Sequence, residues 1–331
     1  MNQAKVLNFF GLLLIMFGVS FVIPLSVAIF YGENLIKVFG LGMSVLVLLG
    51  FLSWFFTKDN KQELSLSDGF VITVLFWIVL SVSGSIPFLL FGFGVVDSFF
   101  ESMSGITTTG ATVIAGLDDL PKSLLIYRQL LQWLGGMGLI VLAIAVMPLL
   151  GIGGGQLFKT QTPGPMSEQR LTPRITSTAR ALWSIYFVLT VLCIFAYRLA
   201  GMNNFDAVSH AFSTVSIGGF STHDLSIGFF DSLTVEIVCI TFMLLSAMSF
   251  AVHYSAIYRK QVLKYFYDPE LRFFVFLLVV IFSLVCLSLF ANNVDDPIRS
   301  GLFQTVSILT TTGFLTDEYS SWPAYISFML L

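Results

Sequence analysis

The feature that most constrains this chain is a series of apolar runs, each long enough to cross a bilayer. They fall at 6–30, 36–56, 70–92, 124–150, 181–200, 232–257 and 272–291, and an eighth begins near Trp322. About 20 consecutive apolar residues suffice for a helix to span the hydrocarbon layer. Charged residues make up 11% of the 331 positions, whereas soluble domains carry about 25%. The fold class is therefore an all-α polytopic membrane protein. The first run follows Met1–Lys5 directly and continues to about Phe30 with no small-residue cleavage pattern. It reads as a retained helix and not as a signal peptide.

Between these spans lie three stretches too short to cross, 97–109, 206–217 and 300–311. Each leads into a polar break: Thr107-Thr108-Thr109-Gly110, Ser216-Ile217-Gly218-Gly219 and Thr310-Thr311-Thr312-Gly313. Thr and Gly propagate a helix poorly. An unpaired peptide group in hydrocarbon costs several kcal/mol, so irregular backbone survives at membrane depth only where it lines a cavity or is buried in protein. Short helices ending in such backbone have the pattern of re-entrant pore loops.

The breaks recur in register. Asp97, Glu101, Ser104 and Gly110 shifted by 109 land on Asp206, His210, Ser213 and Gly219, and these shifted by 94 land on Ser300, Gln304, Ser307 and Gly313. Each short helix is thereby expected to open on an N-capping Asp or Ser. Each unit reads helix, short helix, break, helix, which sets boundaries at 1–66 (an extra N-terminal hairpin), 67–150 (repeat 1), 151–265 (a loop and repeat 2) and 266–331 (repeat 3, incomplete). A single loop offers carbonyls from one side, and replacing the water shell of a cation takes a ring of them. Glycine at the matched position fits, because it allows positive φ and close approach of the backbone to an axis.

The basic residues predict an orientation. With a cytoplasmic N-terminus, 11 of the 16 Lys and Arg face inward and 5 outward (Lys37, Lys122, Arg128, Arg198 and Arg299), which satisfies the positive-inside bias. Of the 19 acidic residues 13 then face outward, where they concentrate cations. A net charge of -3 argues against a nucleic-acid partner.

The three polar breaks, the stretch Gln132-Trp133-Leu134-Gly135-Gly136-Met137-Gly138 after Tyr127-Arg128-Gln129, and the extra N-terminal hairpin together resemble the Trk/Ktr/HKT superfamily of cation transporters over essentially the whole chain. The resemblance implies a pseudo-fourfold arrangement of repeats around one pore and passive or coupled potassium uptake across the bacterial inner membrane. It also implies a homodimer and a cytosolic, nucleotide-binding, TrkA-like regulatory subunit. By the same resemblance Thr108, Thr109, Gly110, Ile217, Gly218, Gly219, Thr311, Thr312 and Gly313 form the potassium-binding selectivity filter, with no catalytic residue and no cofactor other than potassium as substrate. Gly110 in the first filter position goes with potassium over sodium. The family's fourth filter segment has no counterpart in these residues, so this chain by itself is expected to leave the ring open.

Other readings are weaker. The alternatives are a sodium/potassium transporter and a non-conducting membrane subunit; a membrane enzyme is disfavoured by the lack of a Gly-x-Ser-x-Gly elbow or metal-ligand spacing. Gly151-Ile152-Gly153-Gly154-Gly155 follows a membrane run and not a strand, so it reads as a cytoplasmic turn, placed with the basic 159–180 loop to face the regulatory subunit. His210, His223 and His253 read as satisfied structural histidines, and Cys193, Cys239 and Cys286 as packing residues. Glu101, an acid among apolar residues, is a functional candidate, either steering ions or bonding a neighbouring filter backbone.

Overall fold

The structure, a computed structural model, describes residues 3–58, 66–146 and 175–317, together with 322, 323, 325 and 326. The described residues hold thirteen α-helices. They are α1 (Gln3–Ser20), α2 (Val22–Tyr31), α3 (Ile36–Thr57), α4 (Leu66–Phe91), α5 (Val95–Ile106), α6 (Lys122–Val146), α7 (Ile175–Leu199), α8 (Asn204–Val215), α9 (Leu233–Ala247), α10 (Phe250–Tyr258), α11 (Lys264–Tyr267), α12 (Pro269–Ala291) and α13 (Pro297–Leu309). Gly151–Gly155 and most of the basic 159–180 stretch lie outside the described residues.

Among the described residues five segments are long and apolar enough to cross a membrane: Gln3–Tyr31, Ile36–Thr57, Ser67–Phe91, Arg180–Leu199 and Pro269–Ala291. Their surfaces are what lipid tolerates and water does not, with Phe30 and Leu199 at 81% and 89% exposure. The run expected to cross at 232–257 is broken instead. Met248 takes an extended ψ of 145°, and α9 and α10 meet at 90°. The break is capped from the side. His253 Nε2 donates to the carbonyl of Leu245, left open in the last turn of α9, while the Tyr265 hydroxyl meets His253 Nδ1 at 2.7 Å.

Contacts divide the chain into two compact units, residues 1–107, 111–115 and 119–179 in one, and 108–110, 116–118 and 180–331 in the other. In the first, α1 and α3 pack as a hairpin in which a Cβ on Gly50 would meet the Gly11 carbonyl oxygen at 2.6 Å; small residues are what let membrane helices approach this closely. Tyr127 of α6 is fully buried among Phe21, Phe39 and Phe88 at ring separations of 5.2–5.5 Å, and its hydroxyl donates to the Gly84 carbonyl of α4. That cluster fixes α6 against α3 and α4. About two turns beyond it, a Cβ on Gly135 would sit 1.9 Å from the carbonyl oxygen of Ile106, the last residue of α5. Gly135 thus lets α6 cross the end of the short helix. In the second unit α13 packs on α9 and α12. Arg299 of α13 forks onto Glu236 of α9, with nitrogen–oxygen distances of 2.7–3.2 Å.

Candidate functional site

The three short helices α5, α8 and α13 end at matched places, and their ends carry the same backbone. Gly218 N–H reaches back to the Ser213 carbonyl and Ile217 N–H to Thr214; Thr312 N–H reaches Ser307 and Thr311 N–H reaches Ile308. This double closure requires a left-handed residue just past the helix, a place usually taken by Gly. Here it is taken by β-branched residues, Thr108 at φ 55°, Ile217 at 54° and Thr311 at 61°. Such residues are outliers in that region, and the strain persists only where the surroundings over-determine it. Two positions on, Gly110, Gly219 and Gly313 take φ of 77°, 80° and 81°.

Within the second compact unit these ends lie against one another. A Cβ on Gly110 would fall 2.1 Å from the carbonyl oxygen of Gly218, and one on Gly219 would fall 1.9 Å from that of Thr312. Each of these two glycines therefore backs onto the carbonyl of the middle residue in the next loop. At Gly313 a Cβ would meet nothing within 4 Å. The nine residues singled out in the sequence, Thr108–Gly110, Ile217–Gly219 and Thr311–Gly313, are brought together as three successive main-chain segments of one repeated conformation.

The segments leaving the loops are stitched to each other. The Asp224 carboxylate accepts from the N–H groups of Gly116 and Leu117, and Asp118 accepts from Asp224 N–H and pairs with His223 Nδ1. Ser226 Oγ accepts from Leu315 N–H, and Gly228 N–H donates to the Leu315 carbonyl. His223 stacks flat on Phe229 at 3.5 Å. Burial alone would lower the His223 pKa, but hydrogen bonds and charges from Asp206 and Asp118 outweigh it and hold the ring above its usual value.

Several expectations change. The short helices do not open on Asp97, Asp206 and Ser300. The capping positions are Gly94, Asn203 and Asp296, and Asn203 accepts from the N–H of Asp206. Asp97 and Asp206 sit in the first turn, where a carboxylate faces the positive end of the helix. Glu101 cannot steer ions from the surface, because it is 0% exposed; its partner is Arg128, also 0% exposed, at 2.7 Å. Arg128 consequently does not belong among the solvent-facing basic residues. The left-handed Thr and Ile positions and the Glu101–Arg128 pairing escaped the sequence reading. An acid and a base each set in apolar surroundings were the available signal for the pair. Among the described residues no group of three or more His, Cys, Asp and Glu is placed to hold a metal ion.

Comparison with known proteins gives one answer. Residues 35–331 match the TrkH cation transport protein family. The Trk system potassium uptake protein TrkH of Vibrio parahaemolyticus is 47% identical over all of this chain and 70% of its own length. TrkH of Escherichia coli (strain K12) is 43% identical, again over all of this chain and 70% of its own length. The crystal structure of the potassium transporter TrkH from Vibrio parahaemolyticus aligns at a TM-score of 0.88 and 45% identity, covering all of this chain and 69% of that one. With the repeated loop ends already in place, these matches lead to one statement: the chain belongs to the TrkH family of cation transport proteins.

Proposed function

We propose that the chain takes part in potassium uptake across the bacterial inner membrane, and that the loop ends form the ion-selecting part of its pathway. Thr108, Thr109, Gly110, Ile217, Gly218, Gly219, Thr311, Thr312 and Gly313 offer backbone carbonyls in place of an ion's hydration water. The observation that carries this reading is the recurrence of left-handed residue, intervening residue and left-handed Gly at three matched loop ends, two of them backed onto a neighbouring carbonyl. Side chains differ at the first position, Thr against Ile, as a backbone site permits. The short helices also aim their C-terminal, partially negative ends at the loops, which favours a cation there. The names of the relatives supply the ion.

In this reading the N-terminus is cytoplasmic and the loops enter from the outer face. The repeats run over 67–150, 151–265 and 266–331, after the hairpin at 1–66. The protein works as a homodimer with a TrkA-like regulatory subunit, and no chemical step is catalysed. Rubidium and sodium uptake into proteoliposomes tests the proposal, with the chain reconstituted alone and as the longest reading frame that contains it. Rubidium should enter ahead of sodium, and Gly110→Ser should raise relative sodium entry. Failure of both preparations to move rubidium would remove the proposal.

A further inference from the structure

The matched position of the short helices holds Glu101, His210 and Gln304, three side chains with nothing in common except what they reach for. Glu101 accepts from Thr112 Oγ1 at 3.0 Å and from Val113 N–H at 3.3 Å. His210 Nε2 meets Ser221 Oγ at 2.9 Å, and Ser221 is Thr112 shifted by 109. The likeness extends one step further. Thr112 Oγ1 accepts from Ile114 N–H and Ser221 Oγ from His223 N–H, both at 3.1 Å and both two residues on. Gln304 Nε2 reaches the Asp317 carbonyl at 3.3 Å. In each unit, then, one buried side chain of the short helix ties down the strand that has just left the loop.

In the first repeat that tie is closed by a full charge. Arg128 of α6 donates from Nε to Glu101 and from its terminal nitrogen to Thr112 Oγ1 at 3.1 Å, so carboxylate, guanidinium and hydroxyl form a closed triangle whose two charged members are fully buried and whose threonine stands at the exposed exit of the loop. The loop between is anchored at its start by Thr107 N–H on the Met103 carbonyl and at its finish by Thr112. Residues 108–111 hang between the two anchors, and they include the strained Thr108.

We propose that Glu101, Arg128 and Thr112 are positioning residues for cation selection: they hold the exit end of the first loop so that its carbonyls stay at one separation. The proposal rests on the filter reading above. Where a carbonyl site discriminates between ions by size, its oxygens must not relax onto the smaller one. The Glu101–Arg128–Thr112 triangle is the part of the first unit built to prevent that relaxation.

Thr112→Val tests this without leaving a buried charge unpaired, since Glu101 and Arg128 keep each other. In the longest reading frame containing this chain, Thr112→Val should lower the rubidium-over-sodium uptake ratio by about tenfold, the worth of a hydrogen bond to a charged group. Thr112→Ser, which restores the hydroxyl, should return it to the parent value. A merely structural role would change the amount of protein in the membrane and leave the ratio alone. If Thr112→Val preserves the ratio while Gly110→Ser alters it, the brace is overturned and the filter reading stands. If neither changes it, the filter reading falls and the brace with it.

Discussion

The first loop end is held by a buried ion pair and the third by a neutral amide, yet the two main chains take the same turn. Thr108 and Thr311 have φ of 55° and 61°, and Gly110 and Gly313 have 77° and 81°. Behind them, Glu101 and Arg128 are wholly buried and paired at 2.7 Å, whereas Gln304 makes one long bond to a carbonyl and leaves its own carbonyl oxygen without a partner. The shared part is backbone and the varied part is what braces it. That division is expected where function resides in carbonyl oxygens, because any side chain able to reach the exit strand can serve as a brace.

Breaking the two braces should separate them most sharply. Arg128→Gln leaves the Glu101 carboxylate buried without its counter-charge, a loss of about 3–5 kcal/mol. Gln304→Leu removes a single neutral bond and relieves an unpaired oxygen, a change of about 1 kcal/mol or less. Thermal unfolding in detergent measures both, and equal losses would mean that the two braces carry the same load.

The glycines come next. Alanine at Gly219 meets both the left-handed φ and a carbonyl oxygen that belongs to backbone and cannot swing away. Left-handed strain costs about 1–2 kcal/mol and overpacking about 1–3 kcal/mol, so Gly219→Ala should lose about 2–5 kcal/mol. Gly313→Ala meets only the first penalty in this chain. A smaller loss at Gly219 than at Gly313 would contradict the nesting of one loop on the next.

These differences also mark how far the sequence could be read. Spans, short helices and breaks were visible because each rests on composition over many residues. The matched glycines were visible because the repeat aligns them. Thr108, Ile217 and Thr311 gave no sign of left-handed backbone, since β-branched residues ordinarily avoid it and only the closure onto Ser213 and Ser307 imposes it. The bend at Met248 was hidden for the opposite reason: nothing in Ser246–Ser249 breaks a helix on local grounds, and the capping of Leu245 by His253 comes from beyond the bend. Thr112 looked like one more polar residue after a break, and its part emerged only with Arg128 beside it.

The stitch between the first two loops adds a weaker, pH-dependent distinction. His223 has a pKa raised above 6.5 by Asp206 and Asp118. A raised value means that this contact is fully stabilising below the unfolded pKa and is lost as pH rises through the folded one. Unfolding temperature should therefore fall as pH is raised from about 6 to 9, and His223→Asn should flatten part of that slope. The third loop, joined to the second through Ser226 and Leu315, has no titrating group in its stitch, so a Ser226→Ala variant should keep the slope.

The smallest expected effect asks whether the strained residues are needed as side chains at all. Thr311 is exposed at φ 61°. Replacing it with Gly relieves about 1–2 kcal/mol of left-handed strain and adds about 0.5–1 kcal/mol of backbone entropy to the unfolded chain. The net change should lie between zero and about 1.5 kcal/mol in favour of folding. Ile217 is half-buried, so Ile217→Gly gives up apolar burial as well and should come out destabilising. Thr311→Gly that keeps the rubidium-over-sodium ratio would place selection in the main chain. A changed ratio at unchanged stability would instead give the threonine side chain a share in it, and the first and third loops would then differ from the second in function as well as in bracing.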